Sequence, residues 1–193
     1  RELMGEAALR TLLDAESIQE VVDQLERRRY PANSIDALHS LFLELGPLTR
    51  DELLPRYDPS DQLSDAVNAL LKENRIFNYK RGDTTHYAAV EDAARLRDAL
   101  GIVIPVGVPL VFQTPTKRPV RDLVRRYCRT HGPHTAATLS ETLGLSIGVV
   151  SEQLGQLEAE GQILSGAFTP TGTTQEWCDV EVLRRIKRKA LSK

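Results

Sequence analysis

Cysteine, tryptophan and methionine are scarce in this 193-residue chain, at two, one and one. The two thiols, Cys128 and Cys178, lie far apart and supply neither a disulfide framework nor a paired-thiol zinc site. That pattern fits a reducing compartment and places the protein in the cytoplasm. Cys128, His131 and His134 sit close in sequence, but zinc needs about four ligands at reproducible spacing, so no metal ligand is assigned. Long apolar runs are missing too. The longest, around Ile102 to Val111, is broken by Pro105, Gly107 and Pro109 and falls short of the roughly 18 residues that would span a bilayer, so no membrane contact is expected. There is no Gly-rich phosphate loop ending in Lys-Ser or Lys-Thr, no HExxH, no GxSxG and no isolated carboxylate pair. No catalytic residue is assigned and no cofactor is expected within these residues. What is present is a 41% hydrophobic content, enough for a packed core. A start at Arg1 and an end at Lys193 inside a helix-like charge pattern read as a piece of a longer protein.

The net charge of −2 hides a gradient. Residues 1–66 carry 7 basic and 14 acidic side chains, residues 67–116 carry 6 and 5, and residues 117–193 carry 12 and 8. The late positive charge is clustered on Lys117, Arg118, Arg121, Arg125, Arg126 and Arg129, then on Arg184, Arg185, Lys187, Arg188, Lys189 and Lys193. An asymmetry of this kind points to contact with a polyanion at one end of the chain.

The chain also repeats itself. Gly46-Pro47-Leu48-Thr49 recurs as Gly132-Pro133-His134-Thr135, and each copy is preceded by an apolar stripe at helical spacing: Leu38, Leu41, Phe42 in one and Leu123, Val124, Tyr127 in the other. Thr49 and Thr135 are placed to cap second helices over 50–56 and 136–143. Third helices follow, with Leu63, Val67, Leu70, Leu71 and with Ile147, Val150, Leu154, Leu157 as their apolar faces. Asn74 and Gly161 occupy the left-handed positions that close them. Each is followed by a β-hairpin, 76–79 with 84–88 about the turn Lys80-Arg81-Gly82-Asp83, and 163–168 with 173–178 about Thr169-Pro170-Thr171-Gly172. A further helix trails each hairpin, 90–100 and 180–191. Three helices and a two-stranded wing make a winged-helix domain, so the expected fold is α+β, mostly helical, with two such domains in tandem. The boundaries read as a helical lead-in from a preceding domain over 1–30, carrying Leu9, Leu12, Leu13, Ile18, Val21, Val22 and Leu25, winged-helix domains over 31–101 and 119–193, and a Pro/Gly-rich linker over 102–118.

Winged helices usually bind duplex by laying the third helix in the major groove with the wing on phosphate. Neither third helix suits base reading: residues 146–160 hold no Lys or Arg and residues 63–73 only Lys72. The candidate DNA contacts are therefore Lys80 and Arg81 at the first wing, Arg121, Arg125 and Arg129 along one helix, and Arg184, Arg185 and Arg188 on the last, all placed to meet phosphates rather than bases. Trp177, like Tyr87 beside His86 in the first copy, reads as a wing-to-core anchor.

Glu176-Trp177-Cys178-Asp179 followed by Glu181-Val182-Leu183-Arg184-Arg185-Ile186 resembles a signature of the Lhr family, the large helicase-related ATP-dependent DNA helicases. Thr130-His131-Gly132-Pro133-His134-Thr135, Leu157-Glu158-Ala159-Glu160-Gly161 and the stretch Glu91 to Gly101 agree. The resemblance implies a parent that moves 3′ to 5′ on single-stranded DNA in DNA repair, with ATP and magnesium in its helicase core. This segment would start its C-terminal winged-helix extension, similar in architecture to the AlkZ glycosylases. Some members are linked to uracil removal, but the Gln-x-Gln motif of AlkZ-like enzymes has no match in either wing. The expected function is nonspecific binding of single-stranded or duplex DNA together with scaffolding for the rest of the helicase chain. The alternative is a purely structural module, including one that joins copies of the parent in a homo-oligomer. Burial of the Arg184 to Lys189 rows against acidic residues of the first 66 would favour the structural reading, and exposure the DNA-binding one.

Overall fold

A computed structural model describes residues 13–170 and 174–193. Leu9 and Leu12 of the lead-in, and Thr171, Gly172 and Thr173 of the second wing, lie outside the described residues. The chain forms two compact units, Arg27–Arg126 and a second built from residues before Arg27 together with Tyr127–Lys193. Among the described residues no helix is long and apolar enough to cross a membrane.

Helix α1 (Ala15–Leu25) opens the described chain, capped by Asp14, whose carboxylate accepts from Ser17 N at 2.7 Å and from Ser17 Oγ at 3.0 Å. Those bonds explain why a polar Ser17 is fully buried.

In the Arg27–Arg126 unit, Ser34 caps α2 (Ile35–Leu45), whose Leu38, Leu41 and Phe42 are completely buried. Gly46 ends it at a φ of 85°, and Leu48–Thr49 forms the short strand β1. Thr49 then starts α3 (Arg50–Leu53) with a capping box: Thr49 Oγ1 accepts from Glu52 N, and Glu52 Oε1 accepts from Thr49 N at 2.9 Å. A 3-10 turn at Leu54–Arg56 follows, and α4 (Leu63–Lys72) buries Leu63, Val67 and Leu70 against α2. Asn74, at a φ of 53°, turns the chain into β2 (Ile76–Arg81), which pairs with β3 (Thr84–Ala89). The sheet order is β1-β3-β2. A 3-10 turn at Val90–Asp92 leads into α5 (Ala93–Leu100), closed by Gly101. Residues 102–118, expected as a linker, contain no strand and lie within this unit. Val108 is buried, Gln113 Nε2 donates to Val108 O at 3.0 Å, and Thr116 N donates to Asp98 Oδ2 at 2.9 Å.

Helix α6 (Pro119–Thr130) carries the chain from one unit into the other. In the second unit Thr135 caps α7 (Ala136–Leu143) and Ser146 caps α8 (Ile147–Ala159), which buries Val150, Leu154 and Leu157. Strands β4 (Ile163–Gly166) and β5 (Glu176–Asp179) form the second wing. Its ladder is shorter than the sequence suggests: Phe168 N, expected in the strand, donates to the Glu176 carboxylate at 2.9 Å, and the same carboxylate also accepts from Thr169 N at 2.8 Å and Thr169 Oγ1 at 2.6 Å. The repeat extends to strand register. Leu48 pairs with Tyr87 in one unit, and His134 forms an isolated antiparallel bridge with Trp177 in the other. The two Gly-Pro turns thus serve the same purpose, each delivering the third rung of a wing.

Asp179 caps the last helix, α9 (Val180–Leu191), accepting from Glu181 N and Val182 N. Its buried Val182, Leu183 and Ile186 pack with Phe168 and Cys178 and with Leu13 and Val21 at helix α1. Residues read from sequence as a lead-in from a preceding domain therefore complete the core of the second winged helix. Their apolar stripe at i, i+3, i+4 spacing finds the complementary stripe of α9. Gly132 is part of this fit: a Cβ there would lie 2.5 Å from Val22 Cγ2 on α1.

Candidate nucleic-acid interface

The candidate cations divide between the units. In the first, β2 and β3 run further than the sequence suggests, with Lys80 opposite Thr85 and Arg81 opposite Thr84, so the turn is only Gly82-Asp83. Lys80 and Arg81 are strand residues rather than turn residues, and consecutive strand residues face opposite sides of the hairpin. Lys80 is exposed, whereas Arg81 is half-buried and engaged with other groups of the protein. Under the wing lies an aromatic layer in which Tyr79 stacks on His86 with centroids 5.4 Å apart. Burial pushes the Tyr79 hydroxyl up to about 12. Burial also lowers His86, with the Arg81 charge adding to the effect.

On α6, Arg121 and Arg125 are half-buried and engaged. Arg126 turns inward. Its Nη1 donates to both carboxylate oxygens of Asp92, at 3.0 and 2.9 Å, and Asp92 also receives Arg95 Nη1 at 2.8 Å. One member of the sequence cluster is thereby structural.

In the second unit Arg129 is exposed near the end of α6. On α9 the apolar side is buried and the basic side splits in two. Arg184 and Arg188 are exposed, with Arg184 paired to Glu181 one turn back. Arg185 is half-buried and its Nη2 donates to Gln24 Oε1 at 3.0 Å, while Lys189 Nζ meets Glu20 Oε2 at 3.0 Å. The feature set to discriminate the two readings thus comes out divided: one basic row faces solvent, and the other lies along the acidic side of α1. Sequence reasoning missed the residues that cover it, Glu16, Glu20 and Gln24. The signal was their i, i+4 spacing, which matches that of Arg185, Lys189 and Lys193.

The third helix α8 exposes Ile147, Val149, Ser151, Glu152 and Gln156, a face with no cation to offer a base or phosphate. A ring cluster closes the Gly-Pro turn. Tyr127 stacks on His131 and meets His134 edge-on at 4.9 Å. His134 Nδ1 donates to Gly132 O at 2.9 Å, and its Nε2 lies 3.8 Å from Cys128 Sγ. Burial, opposed by the Gly132 hydrogen bond, holds His134 down to about 4 from its ordinary 6.5. Burial likewise raises the Cys178 thiol. Both groups are neutral packing elements.

The His134 shift sets a pH dependence. A histidine whose folded pKa is depressed favours the folded state above its unfolded pKa and forfeits that contribution as pH falls towards the folded value. Between pH 6.5 and 5, before most carboxylates titrate, the second unit is expected to lose about 2 kcal/mol. Urea unfolding followed by Trp177 fluorescence reads this directly, and a flat profile across that window would count against a buried neutral His134.

The Large helicase-related protein, winged-helix domain family matches residues 11–115. Over 193 residues, 99% of this chain, the sequence is 32% identical to the "Lhr helicase/ probable uracil glycosylase" of Mycolicibacterium smegmatis and covers 13% of that protein. It is 34% identical over 197 aligned residues to the "Lhr helicase/uracil glycosylase" of Escherichia coli, covering 99% of this chain and 12% of that one. The chain therefore spans only about an eighth of these relatives, in a region of winged helices. With one family match covering more than half of its residues and the paired winged-helix architecture described above, the chain belongs to the Lhr family of large helicase-related proteins.

Proposed function

We propose that this chain is a nonspecific DNA-binding and scaffolding segment of an ATP-dependent DNA helicase acting in cytoplasmic DNA repair, with the 3′ to 5′ polarity that the family resemblance implies. The observation that carries the reading is the solvent-facing row of Arg184, Lys187 and Arg188 on a helix whose opposite side is fully packed. Arg129 in the same unit and Lys80 in the other are exposed cations of the same kind. Arg81, Arg121, Arg125 and Arg185 have protein partners and would contribute at their margins. Third helices poor in cations support phosphate contact over base readout. The relatives' names add uracil glycosylase activity to the helicase, and we assign any such site to parts of the parent beyond this segment.

Fluorescence anisotropy with labelled single-stranded and duplex DNA tests the reading. Binding should weaken steeply with salt, and Arg184→Ala with Arg188→Ala should lower the slope of log affinity against log salt by about 1.5. An absence of binding at low salt would sink it in favour of a structural module that joins domains or copies of the parent. The pairing of Arg185 and Lys189 with α1 is the observation that favours this second reading.

A further inference from the structure

Helices α1 and α9 meet along a ladder of polar pairs as well as an apolar seam. Gln24 takes Arg185, Glu20 takes Lys189, and the Lys193 ammonium lies 3.2 Å from Glu16, 3.6 Å from Asp14 and 3.7 Å from Glu20. The rungs step four residues at a time on both helices, in opposite directions, as two antiparallel helices require. The lysine ammonium groups remain within reach of solvent, at 42% side-chain exposure for Lys189 and 32% for Lys193. What keeps them from a polyanion is therefore charge rather than steric cover. Helix α1 itself is anchored, because Leu13, Ser17 and Val21 are buried.

We propose that the acidic side of α1 withholds the Arg185–Lys189–Lys193 row from nucleic acid and so confines phosphate contact on α9 to the Arg184–Arg188 row. The carboxylates stand where phosphates would otherwise sit. A single helix with two basic rows could engage a backbone along either edge, and occupying one of them fixes which edge the backbone follows. This inference rests on the DNA-binding reading above and deepens it.

Glu16→Gln with Glu20→Gln tests it in the whole 193-residue chain. These changes keep the apolar seam, the helix propensity and the Asp14 cap, so circular dichroism and melting temperature should hold. With a labelled single-stranded oligonucleotide, the double variant should bind 5- to 10-fold more tightly than the parent at low salt. Its salt slope should be steeper by about 1.4, for two further phosphates on a single strand. Adding Lys189→Ala and Lys193→Ala should return both values to those of the parent chain. Parent binding with no gain in the Gln variant overturns the inference while leaving the DNA-binding reading intact. A gain that survives Lys189→Ala and Lys193→Ala also overturns it, since the quadruple variant has the net charge of the original chain and the added contacts would then not be those of the released lysines. Absence of binding by the parent and by the Gln variant overturns both, and binding by the Gln variant alone supports the withheld row.

Discussion

A chain that starts at Arg27 is expected to keep its first winged helix and lose its second. The contacts that decide this are not those of a boundary drawn at the linker. Val182, Leu183, Ile186 and Phe168 are at most 2% exposed, and part of what covers them is Leu13 and Val21, with Ile18 and Leu25 packed alongside. Uncovering that seam costs about 5 kcal/mol, taking 1.5 to 3 kcal/mol for each of the two fully buried α1-side residues and less for the partly buried ones. Small domains have only about 5 to 15 kcal/mol in all, so the second unit would be unfolded or nearly so at room temperature. The Arg27–Arg126 unit has its own core of Leu38, Leu41, Phe42, Leu63 and Leu70 and should melt unchanged. Trp177 fluorescence follows only the second unit, whereas far-ultraviolet circular dichroism follows both. An unaltered tryptophan transition in the shortened chain would show that α1 contributes little. Gly132→Ala, which thrusts a methyl group at Val22, should shift the same transition downward without any truncation.

Replacing Asp92 with alanine should destabilise the first unit by about 3 to 5 kcal/mol, the usual cost of stripping one partner from a buried ion pair. Asp92 is 2% exposed and holds two guanidinium groups, and the Arg126 side chain on which it closes is itself only 12% exposed. The space for Arg126 exists because residue 46 is glycine: a Cβ there would lie 2.7 Å from Nη2, and its φ of 85° is strained for other residues. The second guanidinium, that of Arg95, keeps a carboxylate in Asp122, 3.4 Å from its Nε. Chemical unfolding of the variant measures the loss. The companion change Arg126→Met in the Asp92→Ala background should recover a large part of it, because the cost lies in an uncompensated charge. A loss below 1 kcal/mol for Asp92→Ala would mean that water or a neighbouring group satisfies Arg126.

Much of this architecture is legible in the sequence, and the reason is local. Thr49 and Thr135 sit at cap positions, Asn74 and Gly161 at left-handed closures, and Leu38, Leu41 and Phe42 at helical spacing, so most elements announce themselves within a few residues. Strand ends were less accessible. Lys80 and Arg81 read as a turn but complete a ladder through Gly82-Asp83, while Phe168, expected in a strand of the other wing, donates to Glu176 in a side-chain contact that no propensity anticipates. The partner of α1 was hidden because it lies about 160 residues away, and an amphipathic stripe tells that a helix packs without telling against what. Among the candidate cations of the last helix, spacing alone does not separate the ladder-bound Arg185 from the open Arg184 and Arg188. All of them sit on one basic helix, and only their neighbours differ.

The second unit is assembled from two stretches separated in sequence by the whole of Arg27–Arg126, and this imposes an order on synthesis. At about 5 to 20 residues per second, roughly 10 to 30 s separate the emergence of Val21 from the ribosome and that of its partner Val182. During that interval the first winged helix can finish folding, while the α1 stripe has no complementary surface to close upon. A nascent chain thus carries an amphipathic helix with an open apolar side until Val182 emerges, a natural docking point for a holding chaperone. Stalling or slow codons between residues 130 and 180 would lengthen that exposure, and aggregation during synthesis would rise with it.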